Sequence, residues 1–145
     1  MITNEVQFRN TKTWLARFEG SKAELEEAHP LPSRTRMQQL HIDAAAAQAS
    51  DLLSELNEYE LTRSGSIRTF QSETLNGLAD ALIKARIARG WTQKQLAEKL
   101  GTVEQQIQRY EATGYASASL ARLGDVATAL SVAITETVTL IDTAA

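Results

Sequence analysis

In this 145-residue chain, the side chains whose types and spacing point to chemistry lie between residues 92 and 111, TQKQLAEKLGTVEQQIQRYE. They are amides and cations rather than nucleophiles or metal ligands. Carboxamide and guanidinium groups make paired hydrogen bonds to planar edges such as those of nucleobases. The stretch reads as two short helices joined by a tight turn, the pattern that lays one helix into the major groove of DNA. Leu96, Ala97 and Leu100 make the inward face of the first helix, and Ala97 is small enough for the second to cross close to it. Gly101 stands where a left-handed backbone turn is expected, a conformation glycine adopts at little cost. Ile107 and Tyr110, three apart, form the inward stripe of the second helix. Thr92 with Gln95, and Thr102 with Gln105, each have capping-box spacing, so the two helices are expected to start at Thr92 and Thr102.

Nothing comparable supports catalysis. His29 lies beside Pro30 and His41 lies on a long helical stretch, and neither has a companion at metal-ligand spacing. The chain holds no cysteine, so no disulfide, metal site or cofactor is expected. Glu24, Glu26 and Glu27, like Glu55, Glu58 and Glu60, read as solvated helix faces. No glycine-rich phosphate loop or nucleophile elbow is present. With no long apolar run and no signal-peptide core in MITNEVQFRN, the expectation is a cytoplasmic protein without a membrane segment.

The elements that must hold residues 92–111 follow from periodicity. The net charge is −3 and 43% of residues are hydrophobic. Alanine is abundant and aromatics are few, which suits close-packed helices. Residues 1–9 alternate, with Ile2, Val6 and Phe8 on one side, a strand-like pattern. Thr11 to about Ala28 is expected to be helical, with Gly20-Ser21 as a candidate interruption. His29-Pro30-Leu31-Pro32 is a stop. A long helix from about Ser33 to Thr62 carries Ile42, Ala45, Ala49, Leu52, Leu56 and Tyr59 at alternating spacings of three and four, a heptad seam about 27 Å long. Two alanines make that seam thin. It needs the first helix, a second copy or a partner to cover it, and an intramolecular helical hairpin is the preferred reading.

Residues 63–72 read as a linker, and a second region covers 73–145. Its first helix spans about 75–89, with Leu75, Leu78, Ala79, Leu82, Ile83 and Ile87 inward. Residues 112–118 form a loop, and a last helix from about Ser119 to Ala129 turns Leu120, Leu123 and Ala127 inward. Val132 to Ile141 is a β-branched, alternating run that reads as a strand needing a neighbour. Lys84, Arg86, Arg89, Lys94, Lys99 and Arg109 face only Glu98 and Glu104 over residues 84–109, whereas residues 1–71 hold eight basic and ten acidic groups. The positive field is thus expected where the paired helices lie.

Residues 75–132 resemble the Cro/C1-type (xenobiotic-response-element) helix-turn-helix family on three segments in the family's order: ARIARGWTQKQLAEKLG, QQIQRYEATG and LARLGDVATALSV. The resemblance implies a lambda-repressor-like helix-turn-helix bundle; with the N-terminal helical hairpin and the short terminal β-strands read above, the expected fold is mainly α. It also implies that the second short helix enters the major groove, presenting Glu104, Gln105, Gln108 and Arg109, with Gln106 at the edge. Gln93 and Lys94 would meet the phosphate backbone, with Tyr115 and Ser117 as further phosphate contacts. Arg86 and Glu111 match a structural ion pair between helices. Here the loop between Glu111 and Leu120 is one residue longer than usual and lacks the common proline, which bears on the loop contacts. The function implied is a sequence-specific regulator of double-stranded DNA, a dimeric repressor. The alternative is an antitoxin whose N-terminal region binds a toxin while the protein represses its own operon. Homodimer, DNA operator and toxin are the expected partners.

Overall fold

The computed structural model describes residues 1–142; among them are six helices and no strand. They are α1 (Glu5–Ala28), α2 (Arg36–Arg63), α3 (Leu75–Ala88), α4 (Gln93–Lys99), α5 (Glu104–Ala112) and α6 (Leu120–Ala129). No helix among the described residues is long and apolar enough to cross a membrane.

Helices α1 and α2 pack as an antiparallel hairpin, so the thin seam of α2 is covered from within the chain. Ile42, Ala45, Ala49, Leu56 and Tyr59 are buried, and Leu52 is half-buried. Phe8 packs on Tyr59 with ring centroids 5.1 Å apart. Exposed ion pairs bridge the two helices, Arg63 to Glu5 at 2.9 Å and Lys12 to Glu60 at 3.7 Å. Each contributes about 0–1 kcal/mol, so apolar contact decides the pairing. Gly20 and Ser21 do not interrupt α1, which runs unbroken through both.

The alternation at residues 1–9 does not make a strand. Asn4 caps α1, its Oδ1 accepting from the Gln7 N–H at 2.9 Å, and the helix starts at Glu5. A side-chain cap at Asn4 satisfies a donor that a lone strand would leave without a partner. Residues 1–4 instead run onto the second region, where Ile2 joins a core shared with Phe8, Tyr59, Leu82 and Ile87.

Helices α3 to α6 close around Leu82, Ile83, Leu96, Ile107, Val126 and Leu130, all fully buried. Each such side chain contributes about 1.5–3 kcal/mol relative to exposure. Leu75 and Leu120, expected inside, are exposed. Each is the first residue of its helix, directly after the caps Thr74 and Ser119, and projects past the end of the bundle. The expected C-terminal strand is also absent: residues 133–142 carry no regular secondary structure and no backbone pairing. A β-branched alternating run needs a partner edge to form a ladder, and no described segment supplies one.

Candidate nucleic-acid interface

The α4–turn–α5 unit forms as its sequence demands. At the start of α4 the Thr92 hydroxyl accepts from Gln95 N–H at 3.1 Å, and Gln95 Oε1 accepts from Thr92 N–H at 2.8 Å, a complete capping box. Gly101 takes φ +65°, the left-handed conformation that turns the chain out of α4. The second box does not form. The N-cap of α5 is Val103, with no side-chain cap bond. Thr102 is instead drawn into the turn, its N–H donating to the Ala97 carbonyl at 3.0 Å. The first N–H groups of α5 therefore have no side-chain partner, and they bear the positive end of the helix dipole.

Ile107 is fully buried on the inward side of α5, while Glu104, Gln105, Gln108 and Arg109 are exposed on the outward side. Gln106 is half-buried, at the edge. Gln108 Nε2 donates to Glu104 Oε1 at 3.3 Å along this face, a weak contact that leaves both groups accessible. Lys94 at the start of α4 and Ser117 in the loop after α5 are exposed.

Two candidates from the sequence lie inside the fold. Gln93 is buried, its Nε2 donating to Glu111 Oε2 at 2.8 Å, and its Oε1 takes a long 3.4 Å bond from Asn4. Its side chain is thus committed to the interior rather than to phosphate. Helical spacing carries the signal that was passed over: Gln93, Leu96, Ala97 and Leu100 share one face of α4. Tyr115 is also buried, stacked on Tyr110 with centroids 5.6 Å apart, at φ +59°. Its N–H donates to the Tyr110 carbonyl at 2.7 Å, tucking the ring under the end of α5.

The buried Tyr115 hydroxyl has no hydrogen-bond partner among the described residues. Burial, and after it the Glu111 charge, push that hydroxyl well above the usual phenol range. Leaving such a group unsatisfied costs about 1–3 kcal/mol. Tyr115→Phe is therefore expected to stabilise the protein by about 1 kcal/mol in urea unfolding. The sign of the pH effect follows. The fold holds only the neutral phenol, so stability from this group is complete below the free value of 10.0 and falls as the pH climbs past it. The phenylalanine variant should lose less stability in that alkaline window.

Arg86 and Glu111 meet as expected and are both buried. Arg86 Nε donates to Glu111 Oε1 at 2.6 Å and Nη2 to Oε2 at 2.7 Å, a bidentate pair joining α3 to α5. Two of the three remaining donors are also used: Nη1 reaches the Trp91 carbonyl at 2.7 Å and Nη2 the Thr3 carbonyl at 2.6 Å. The partners Thr3, Asn4, Trp91 and Gln93 were not foreseen. Asn4 and Thr3 lie about 90 positions upstream of Gln93, a separation that no local pattern reveals.

These pairings revise the charge balance. Lys84 is bound to Glu58 at 2.6 Å, Arg86 is neutralised inside, and Arg89 donates to the Ser131 carbonyl at 3.1 Å. The cations left exposed on α4 and α5 are Lys94, Lys99 and Arg109. The field at the interface is thus more local than the sequence count suggests.

Comparison with protein families finds the helix-turn-helix family over residues 82–136, from the middle of α3 to just beyond α6. Comparison with curated proteins and with solved structures gives no match. The matched segment contains the crossed α4–α5 pair, its glycine turn and the ion pair behind it. Residues 82–136 thus match the helix-turn-helix family model, of the Cro/C1 type, and they do so over the α4–α5 pair and its supporting core.

Proposed function

We propose that the protein is a sequence-specific reader of double-stranded DNA that works as a dimer and represses by occupying its site. One observation carries this reading: on α5 the inward side is tied down, whereas Glu104, Gln105, Gln108 and Arg109 are exposed together on the outward side. Glutamine can address adenine through two hydrogen bonds and arginine guanine through two, and Glu104 can accept from a cytosine amine. Lys94 and Ser117 flank the row as phosphate contacts, and the uncapped start of α5 favours an anion nearby. One such helix reads about half a site. A two-fold dimer places two of them roughly 34–36 Å apart on one side of the duplex. Blocking a promoter in this way needs no chemical step.

Selection of bound sequences from random duplex DNA tests the reading. The expected product is an inverted repeat with half-site centres about one helical turn apart. A single unrepeated site, or no enrichment at any ionic strength, would falsify the dimeric, sequence-reading role.

A further inference from the structure

Beside α3 lies a groove of about 710 Å³. Leu78, Ala81, Leu82, Ala85 and Ala88 of α3 line it, and so do the non-helical segments 67–73 and 131–136. Among the described residues, no backbone hydrogen bond joins 67–71 or 133–142 to another segment. The groove therefore pairs an apolar, alanine-rich helix surface with residues 67–71 and 133–136, whose backbone groups are not engaged with another segment among the described residues. An added strand uses such a place.

A strand-like piece of the same chain lies without a seat. After lining the groove as far as Glu136, the chain continues as Thr137 to Asp142, and Val138, Leu140 and Ile141 are 94%, 95% and 83% exposed. Apolar side chains this bare favour burial against another surface. They cannot readily return to their own groove. The run from Val132 to Ile141, VAITETVTLI, contains no glycine, proline, asparagine or aspartate, the residues that make a tight reversal. A stiff β-branched segment runs straight on. Reach agrees as well: Leu78 to Ala88 rises about 15 Å along α3, and five extended residues span about 16 Å.

We propose that residues 137–142 of one copy occupy the α3 groove of a second copy, and that the exchange is reciprocal. Reciprocity follows from two-fold symmetry, in which each copy offers the same groove and the same tail. The exchange gives the unpaired edges a ladder and removes the three exposed side chains from water. It deepens, and rests on, the reading of the protein as a dimer.

The chain has no cysteine, so introduced thiols report without background. Ile67→Cys places one beside the groove and Leu140→Cys one on the tail, in separate full-length chains. The two are mixed without DNA and treated with a short bis-maleimide. The expected product is a covalent heterodimer, mapped by mass spectrometry to positions 67 and 140. Its yield should fall at least ten-fold when Val138→Asp is added to the tail. Two results overturn the proposal: no 67–140 link between chains, or a link that forms only within one chain carrying both cysteines. A foreign peptide as the true occupant gives the first of these. Helical content by circular dichroism confirms that the variants fold. Because DNA is absent, failure here leaves base reading by α5 untouched, and loss of base reading leaves the cross-link in place.

Discussion

Arg86→Met destabilises the protein by about 3–5 kcal/mol, the range expected when one member of a buried ion pair is removed. The magnitude follows from what is stranded. Arg86 satisfies both oxygens of the buried Glu111 carboxylate and the carbonyls of Trp91 and Thr3. Methionine fills similar volume but donates to none of them, leaving an unpaired charge and two bare acceptors in a dry interior. Adding Glu111→Leu removes the charge and should recover a large part of the loss. The two carbonyls still lack partners and Gln93 Nε2 now loses its own, so recovery stays incomplete. Urea unfolding of the single and double variants measures both quantities. An Arg86→Met protein within 1 kcal/mol of the parent would mean that the pair is not the keystone of the α3–α5 contact.

The second large effect is on recognition. Gln105→Ala and Arg109→Ala should each weaken binding to the selected site by about 1–3 kcal/mol, some five- to 150-fold, with far less change on random duplex. Both side chains are exposed on α5 and neither is engaged in a hydrogen bond or ion pair among the described residues, so truncation is expected to act on binding without disturbing the core. Lys94→Ala provides the contrast. It should weaken specific and random binding alike and make the salt dependence shallower by about one phosphate contact. Titrations at several salt concentrations separate the two patterns. If the Gln105 and Arg109 variants keep the parent's ratio of specific to random affinity, α5 is not the helix that reads bases.

The parts of this architecture governed by local rules were legible in the sequence. The Thr92–Gln95 box, Gly101 at φ +65° and the Leu96, Ala97 and Ile107 stripes give α4, its turn and α5 from neighbours only a few positions apart. The seam from Ile42 to Tyr59 likewise led to α2 and to its hairpin with α1. What escaped depends on competition between similar local signals or on distant contacts. Thr102 and Val103 compete for one cap, and the turn geometry claims Thr102. Ile2, Val6 and Phe8 alternate like a strand, yet Asn4 caps a helix across them. Val132 to Ile141 has strand composition, but a strand is a pairing, and composition does not name the partner. Tyr115 falls in a polar loop, and nothing local announces that its ring turns under Tyr110.

Thr3 and Asn4 set limits on how this protein can be dissected. A fragment beginning at residue 73 would carry Arg86 without its Thr3 acceptor and the bundle without the Ile2 plug. The amino-terminal hairpin is therefore less an accessory than a splint, and the excised reader is mechanically incomplete. By the same connection, a pull that lifts the first four residues from their seat reaches the guanidinium of Arg86 and the amide of Gln93 ahead of the exposed side chains of α5.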